Sequence, residues 1–207
     1  MTVVAVSLGL LAWWQTTQGF RAFTWESYRR LKIASHPLAV PNVLLQDQFG
    51  HLLDLNSLRG KVLVINFIYT RCPTICGYTG LNLSRLQRML LQRSFQDRVR
   101  LLSISLDPHF DTPQKLKAYM LRFSNQLKTS WQAVRPVKPL QGQEMQHQLG
   151  VVSIPDGIGG FTHNAATHLV DQKGYLVRII DEDNLKLTID IIARMLLAAK
   201  TGINHDG

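Results

Sequence analysis

The sequence contains very little cysteine: Cys72 and Cys76 are the only two in 207 residues. Small secreted domains that depend on disulfides need several pairs spread along the chain, so this class is excluded. Only three residues separate the two cysteines. Their role is therefore local, and the question is which chemistry a pair of neighbouring thiols performs.

Long runs of basic residues are absent as well. The formal net charge is +9, but lysine and arginine are dispersed, and the longest unbroken run is the pair Arg29 and Arg30. Nucleic-acid-binding proteins concentrate such residues on one face or helix, so we predict no nucleic-acid partner. A dispersed positive surface instead favours encounter with an acidic partner or an anionic membrane.

The first twenty residues carry no charged side chain, and residues 3–14 are nearly all apolar. This apolar stretch is shorter than the ~20 residues that a membrane-spanning helix needs. Trp13 and Trp14 are nevertheless typical of a membrane interface, and no small-residue cleavage site follows. We predict a membrane anchor or signal-like segment over residues 1–20, with an uncleaved anchor favoured. The basic residues downstream of it would lie in the cytoplasm by the positive-inside rule, so the orientation stays open.

The chain as a whole has the composition of a folded protein, because 45% of its residues are hydrophobic and 18% are charged. Its length suits one ordinary domain with a short appendage. We predict a membrane-proximal linker over residues 21–42 with a short helix near residues 26–33, a globular domain over residues 43–200, and a C-terminal tail over residues 201–207.

The pattern of apolar residues in this domain predicts an α/β fold. Residues 61–69 form a run of β-branched and aromatic residues without alternation, which is typical of a central strand buried on both faces. A helix from Thr79 and a second buried strand over residues 101–106 follow, which indicates a βαβ unit with parallel strands. We further predict hairpins around Gly50 and Gly174 and helices over residues 114–123, 143–149 and 184–200. The first of these helices is expected to start at Thr112 and Pro113, with a hydroxyl cap and a proline in the first turn.

Both cysteines lie where the predicted central strand ends and the next helix begins. A helix N-terminus carries unpaired N–H groups and partial positive charge, which stabilise a thiolate. If Cys72 and Cys76 lie about one helical turn apart, their Cα atoms are near ~6 Å, within the range for a disulfide. The spacing is wider than that of thioredoxin-type pairs and lets two sulfurs hold a metal between them. The loop therefore predicts redox chemistry, a soft metal site, or both.

Two thiolates leave a metal under-coordinated, and histidine is the commonest further ligand. His163 follows a glycine-rich stretch, residues 156–160, whose backbone freedom would let a strand start approach the cysteine loop. His168 lies five residues further on and would face the opposite way in a continuous strand. Only one of the two is expected to serve as a ligand, and the residues alone leave the choice open.

Three segments resemble the Sco/SenC family. The stretch VINFIYTRCPTIC, residues 64–76, is similar to the cysteine loop of that family. The segments SLDP and DTP, at residues 105–108 and 111–113, resemble its D-P-x-x-D-T segment. The number of residues from His163 to LVD, residues 169–171, and to Gly174 is similar to the spacing that follows the ligand histidine of the family. The spacing from His168 is not.

The sequence also departs from the family pattern at three positions. Gly77 stands where the family often has proline. Thr162 and Asn164 flank the histidine, where aspartate and then serine or threonine are common. These changes leave the three ligand positions intact and alter their surroundings, which tune affinity and redox behaviour.

The resemblance implies a thioredoxin-like fold with a central mixed sheet flanked by helices, in addition to the N-terminal membrane segment. It also implies one copper ion per chain, Cu(I) or Cu(II), bound by Cys72, Cys76 and His163, with the two cysteines forming a redox pair. Two thiolates and an imidazole make a soft, open site suited to copper, whereas structural zinc generally takes four ligands.

Members of the Sco/SenC family face the periplasm or the intermembrane space and help to assemble the copper centre of cytochrome c oxidase. The resemblance therefore implies a metallochaperone on the bacterial inner membrane, with its domain in the periplasm and the oxidase subunit that carries the copper centre as its partner. An enzyme, a thiol–disulfide oxidoreductase that acts on partner cysteines without obligatory copper, is the alternative. A peroxidase that uses one cysteine on the same fold is a third candidate.

Overall fold

The computed structural model of the chain describes residues 7, 24–72, 75–123, 130–155, 157 and 160–201, with the backbone alone at positions 75, 76, 162, 163, 200 and 201. Apart from Ser7, the predicted membrane segment lies outside the described residues. The predicted tail lies outside them too, except for the backbone of Thr201. Within the described residues, no helix is both long enough and apolar enough to span a bilayer.

A mixed sheet of eight strands forms the centre of the described part of the chain. Its strands are β1 (Leu38–Ala39), β2 (Leu44–Asp47), β3 (Leu52–Asp54), β4 (Val62–Ile68), β5 (Val99–Ser105), β6 (Trp131–Pro136), β9 (Thr167–Val170) and β10 (Tyr175–Ile180). The order across the sheet is β1-β10-β9-β4-β5-β6-β2-β3. The strands β4, β5 and β6 run parallel, and the other neighbours are antiparallel. Two short strands, β7 (Ser153–Pro155) and β8 (Phe161–His163), pair separately as an antiparallel hairpin.

Five helices flank the sheet in the described residues. They are α1 (Trp25–Ser35), α2 (Ile75–Gln92), α3 (Pro113–Leu121), α4 (Pro139–Gln148) and α5 (Leu185–Thr201). Helix α2 contacts α5 and β5, α3 and α4 contact β6, and α1 lies against β10. The start of α3 is as predicted, because Thr112 accepts a hydrogen bond from the N–H of Lys115 and Pro113 occupies the first turn.

The prediction of a central buried strand is confirmed. All seven side chains of β4 are buried, and the strand pairs with β5 in parallel from Val62 opposite Val99 to Ile68 opposite Ser105. A polar contact crosses three strands inside this core, since the indole N–H of Trp131 donates to the hydroxyl of Ser103, which donates to the side-chain carbonyl of Asn66. The indole N–H, the hydroxyl and the amide carbonyl of this contact therefore satisfy one another, whereas Nδ2 of Asn66 has no partner among the described residues.

The hairpins around Gly50 and Gly174 are confirmed, with φ of +87° and +89° at the two glycines. The predicted helix start at Thr79 is wrong, because α2 already begins at Ile75. The polar and proline-containing strand β6 was not predicted. In the segment predicted as a linker, the short helix is confirmed as α1, which packs on β10, whereas β1, which pairs with β10, was not predicted.

Candidate metal centre

The two cysteines lie at the junction between β4 and α2. Strand β4 ends at Ile68, and the N–H of Cys72 donates to the carbonyl of Tyr69 at 3.1 Å, which turns the chain back towards the helix. The side chain of Cys72 is buried, with 8% of its surface exposed. Cys76 is the second residue of α2. The backbone thus has the predicted arrangement, with one cysteine just before a helix N-terminus and the other within its first turn.

The start of the cysteine loop is held by the buried carboxylate of Asp111, which lies before α3. The hydroxyl of Thr70 donates to it at 2.6 Å, its N–H donates at 3.2 Å, and the hydroxyl of Ser105 donates at 2.6 Å. Burial raises the pKa of Asp111 and the charge of Asp107 raises it further, while these hydrogen bonds act in the opposite direction. Asp111 lies in the segment that resembles the family, but its structural role was not predicted.

A second attachment joins the loop to the same segment. Arg71 pairs with Asp107 at 2.5 Å, and its guanidinium lies 3.9 Å from the ring centre of Phe110. The ammonium of Lys115 lies 3.0 Å from the same ring. The residue immediately before Cys72 is therefore tied to the loop between β5 and α3.

The hairpin that ends at His163 approaches the cysteine loop through an aromatic contact. Phe161, at the start of β8, packs edge-to-face against Tyr69 with ring centroids 5.5 Å apart. Tyr69 lies three residues before Cys72, and Phe161 lies two residues before His163. The structure thus brings together the backbone segments that carry all three predicted ligands. The side chains of Cys76 and His163 lie outside the described residues, so the three-ligand set stays a prediction.

His168 lies in the core and not in a continuous strand with His163. The condition of a continuous strand is not met, because residues 164–166 separate β8 from β9. The ring of His168 is 1% exposed and packs edge-to-face on Phe67. Neither ring nitrogen forms a hydrogen bond of normal geometry with the described residues. Burial, not strand alternation, therefore separates this histidine from the cysteine loop.

The environment of His168 disfavours its charged form. Burial lowers its pKa from 6.5 to about 4, and the positive charge of Arg29 contributes in the same direction. The carbonyl groups of Leu149 and Ile65 and the charge of Glu26 oppose this change. His168 is therefore a neutral core residue at physiological pH.

The remaining histidines of the described part of the chain belong to other segments, although His109 lies in the loop between β5 and α3 to which Arg71 is tied. They are His36 at the end of α1, His51 in the first hairpin, His109 before α3 and His147 at the end of α4, and all four are exposed. Among the side chains that the structure describes, no three His, Cys, Asp or Glu residues come close enough to hold a metal ion.

One further carboxyl group lies beside α2. Glu182 accepts a hydrogen bond from the hydroxyl of Thr79, which follows Cys76 by three residues. Burial raises the pKa of Glu182, the charge of Asp183 adds to this, and the bond from Thr79 acts in the opposite direction. This contact was not predicted, because it joins residues that are far apart in sequence.

A central mixed sheet flanked by helices, with two cysteines where a buried parallel strand meets a helix, defines a thioredoxin-like dithiol protein. The model of the SCO1/SenC family matches residues 36–197, and the chain belongs to this family.

Individual relatives agree with this assignment. The SCO1 protein homolog of Bacillus subtilis (strain 168) is 30% identical over 139 residues, which cover 64% of this chain and 68% of that protein. The structure of BsSco, a member of the Sco family of cytochrome c oxidase assembly proteins with a disulfide switch, matches with a TM-score of 0.68 at 24% identity, over 77% of this chain and 94% of that one. Copper-bound ScoI of Bradyrhizobium japonicum matches with a TM-score of 0.65 at 25% identity, over 76% and 99%.

We predict that Asp111→Ala destabilises the protein and loosens the cysteine loop. The substitution leaves the donors of Thr70 and Ser105 without their acceptor, which costs about 1–3 kcal/mol for a buried group. The free energy of unfolding should fall by that order in urea titrations. Alkylation of buried Cys72 in the reduced protein should accelerate, as measured by fragment-resolved mass spectrometry. Asp190→Ala, on the exposed face of α5, is the control, and an unchanged alkylation rate in folded Asp111→Ala would contradict the anchoring role.

We also predict that His168 makes the protein less stable in acid. The unfolded chain binds a proton at this residue below a pH of about 6.5, whereas the folded protein binds it only below about 4. The unfolded state therefore holds more protons between these values, and stability falls as the pH falls through them, by on the order of 3 kcal/mol. His168→Leu should reduce this slope without loss of stability at neutral pH, in urea titrations at several pH values. An equal reduction in the exposed control His109→Leu would refute the assignment.

Proposed function

We propose that this protein is a copper metallochaperone that assists assembly of the copper centre of cytochrome c oxidase. It binds one copper ion, Cu(I) or Cu(II), through Cys72, Cys76 and His163, and the same two cysteines form a redox pair. The oxidase subunit that carries the copper centre is its partner. Membership of the family supports this proposal, as do the bound copper in ScoI and the disulfide switch and oxidase assembly attributed to BsSco.

The contact between Tyr69 and Phe161 is the observation that carries the proposal. It holds the strand that ends at His163 against the loop that carries Cys72 and Cys76. Positions 161 and 163 share one face of β8, because residues alternate along a strand. Position 163 therefore lies on the face of β8 that the aromatic pair joins to the cysteine loop.

The donor set fits copper and its transfer. Thiolates are soft ligands that suit Cu(I), and imidazole adds affinity for Cu(II). Three protein ligands leave a coordination position open, through which a partner's ligand can enter. When copper is absent, Cys72 and Cys76 can pass two electrons and two protons to the disulfide of an exchange partner, which becomes two thiols while they form a disulfide, so the pair must be reduced before it accepts the metal.

A thiol–disulfide oxidoreductase is the second candidate function. The position of Cys76 in the first turn of α2 favours it, because the helix N-terminus stabilises a thiolate there. This activity needs no histidine ligand, so variants of the histidine separate it from copper binding.

We predict that His163→Ala removes or severely weakens Cu(II) binding and its thiolate-to-copper charge-transfer absorption. The two thiolates remain and can still hold Cu(I), so Cu(I) binding and disulfide formation should persist. Spectroscopic titration of the reduced protein with Cu(II) gives the affinity, and alkylation mass shifts across a redox buffer series report the disulfide.

His168→Leu is the control and should bind Cu(II) as the unsubstituted protein does. Loss of Cu(II) in this variant, with normal binding in His163→Ala, would transfer the ligand role to His168. Copper binding unchanged in both variants would refute the three-ligand site and favour the oxidoreductase.

We further propose that residues 1–20 anchor the protein in the bacterial inner membrane, with residues 43–200 in the periplasm. The uncharged character of the segment and the thiol chemistry of the domain support this arrangement. A reporter enzyme that is active only outside the cytoplasm, fused after Gly207, should be active. The matched fusion with a reporter that is active only in the cytoplasm should be inactive, and the reverse result would overturn the orientation.

A further inference from the structure

Asn164 follows His163 directly and joins the end of β8 to the segment that precedes β7. Its Oδ1 accepts a hydrogen bond from the N–H of Val152 at 2.8 Å, and its Nδ2 donates to the carbonyl of Gly150 at 3.1 Å. Its backbone N–H donates to the carbonyl of Val152 at 3.3 Å. Three hydrogen bonds therefore attach this residue to both sides of Val151.

The amide group of Asn164 suits these two partners. The N–H of Val152 can only donate and the carbonyl of Gly150 can only accept, so the side chain between them must offer one acceptor and one donor. A serine hydroxyl can serve one of these partners, but it is too short to bridge both. The bridge to both partners therefore depends on the amide group of asparagine at this position.

The segment that Asn164 binds is fixed from its other side by α1. Arg29 donates to the carbonyl of Leu149 at 2.5 Å and is held in place by three hydrogen bonds to the carboxylate of Glu26, at 2.9, 3.0 and 3.1 Å. Gly150 has φ of +68°, and a Cβ atom at this position would overlap the guanidinium of Arg29. The carbonyl that Asn164 binds thus belongs to a turn that packs against the guanidinium of Arg29, and this contact restricts the movement of the turn.

The hairpin that ends at His163 depends on such attachments. The strands β7 and β8 pair over only three residue pairs, from Ser153 opposite His163 to Pro155 opposite Phe161. An isolated two-stranded hairpin is marginally stable in water. Phe161 attaches one end of β8 to the cysteine loop, and Asn164 attaches the other end to the turn after α4, so His163 lies between two fixed points.

We propose that Asn164 is a positioning residue for copper, which holds β8 so that His163 meets the metal at the cysteine loop. This inference rests on the proposed function. A ligand that is already in place binds the metal without a cost for ordering it, so loss of the bridge should weaken binding by the imidazole. The effect should fall on Cu(II), which needs the imidazole, and leave the thiolate-held Cu(I) and the disulfide nearly unchanged.

The test compares Asn164→Ala and Asn164→Ser in the full chain. Asn164→Ala should weaken Cu(II) binding by about 10- to 100-fold and alter the charge-transfer absorption, and Asn164→Ser, which keeps one hydrogen bond, should lose less. Cu(I) affinity, by competition with a chelator, and the disulfide reduction potential should change little. A general loss of structure would weaken binding of both copper ions and shift the reduction potential as well, which would refute a specific positioning role.

Asn42→Ala is the matched control. The side chain of Asn42 also makes two hydrogen bonds, accepting from the N–H of Asn56 and donating to Asp54, but it lies beside β3 at the far edge of the sheet. It should leave Cu(II) affinity unchanged. If the unsubstituted protein binds Cu(II) and both Asn164 variants bind it equally well, the positioning role is refuted and the proposed function stands. If the unsubstituted protein binds no copper, the proposed function fails and the inference fails with it.

Discussion

The burial of β4 along its whole length is the constraint on which the candidate site depends. A strand that is buried on both faces must pair at both edges, because its backbone N–H and carbonyl groups cannot reach water. It pairs with β5 on one side and β9 on the other. The place where it leaves the sheet is thereby fixed, and the cysteine loop begins at that place. The aromatic ring of Tyr69, one residue beyond the strand, then becomes a fixed surface for Phe161.

The polar contacts at the end of β4, where the chain leaves the sheet, include a buried carboxyl group whose burial costs free energy. The carboxylate of Asp111 is fully buried, and burial raises its pKa, which means that the ionised form is disfavoured. Hydrogen bonds from Thr70 and Ser105 offset part of this cost and in return hold the first residue of the loop. A buried carboxylate of this kind defines one loop conformation more strictly than apolar packing would, because each lost donor leaves an unsatisfied group. The loop between β5 and α3 therefore belongs to the cysteine site, although it supplies none of the predicted ligands.

Much of the fold could be predicted from local sequence patterns, and the exceptions have physical reasons. The apolar run of β4, the two glycine turns and the cap at Thr112 each act over a few residues, so they could be recognised. Strand β6 escaped recognition because its order of buried and part-buried residues follows neither simple alternation nor a continuous apolar run, and it ends at Pro136. The anchoring by Asp111 and the contact of Tyr69 with Phe161 join segments 41 and 92 residues apart, and no single-sequence pattern reports such pairs.

The two halves of the proposed site differ in how they are supported, and this difference bears on copper transfer. The cysteines lie at the end of a strand in the middle of the sheet and at the start of the 18-residue helix α2. The histidine strand belongs to a hairpin of three residue pairs outside that sheet. The two cysteines thus share the stability of the core, whereas the backbone position of His163 depends on a few contacts at the two ends of β8. In the proposed copper site, coordination at the histidine could therefore change without disturbing the thiolates, which suits the transfer of thiolate-held Cu(I) to a partner.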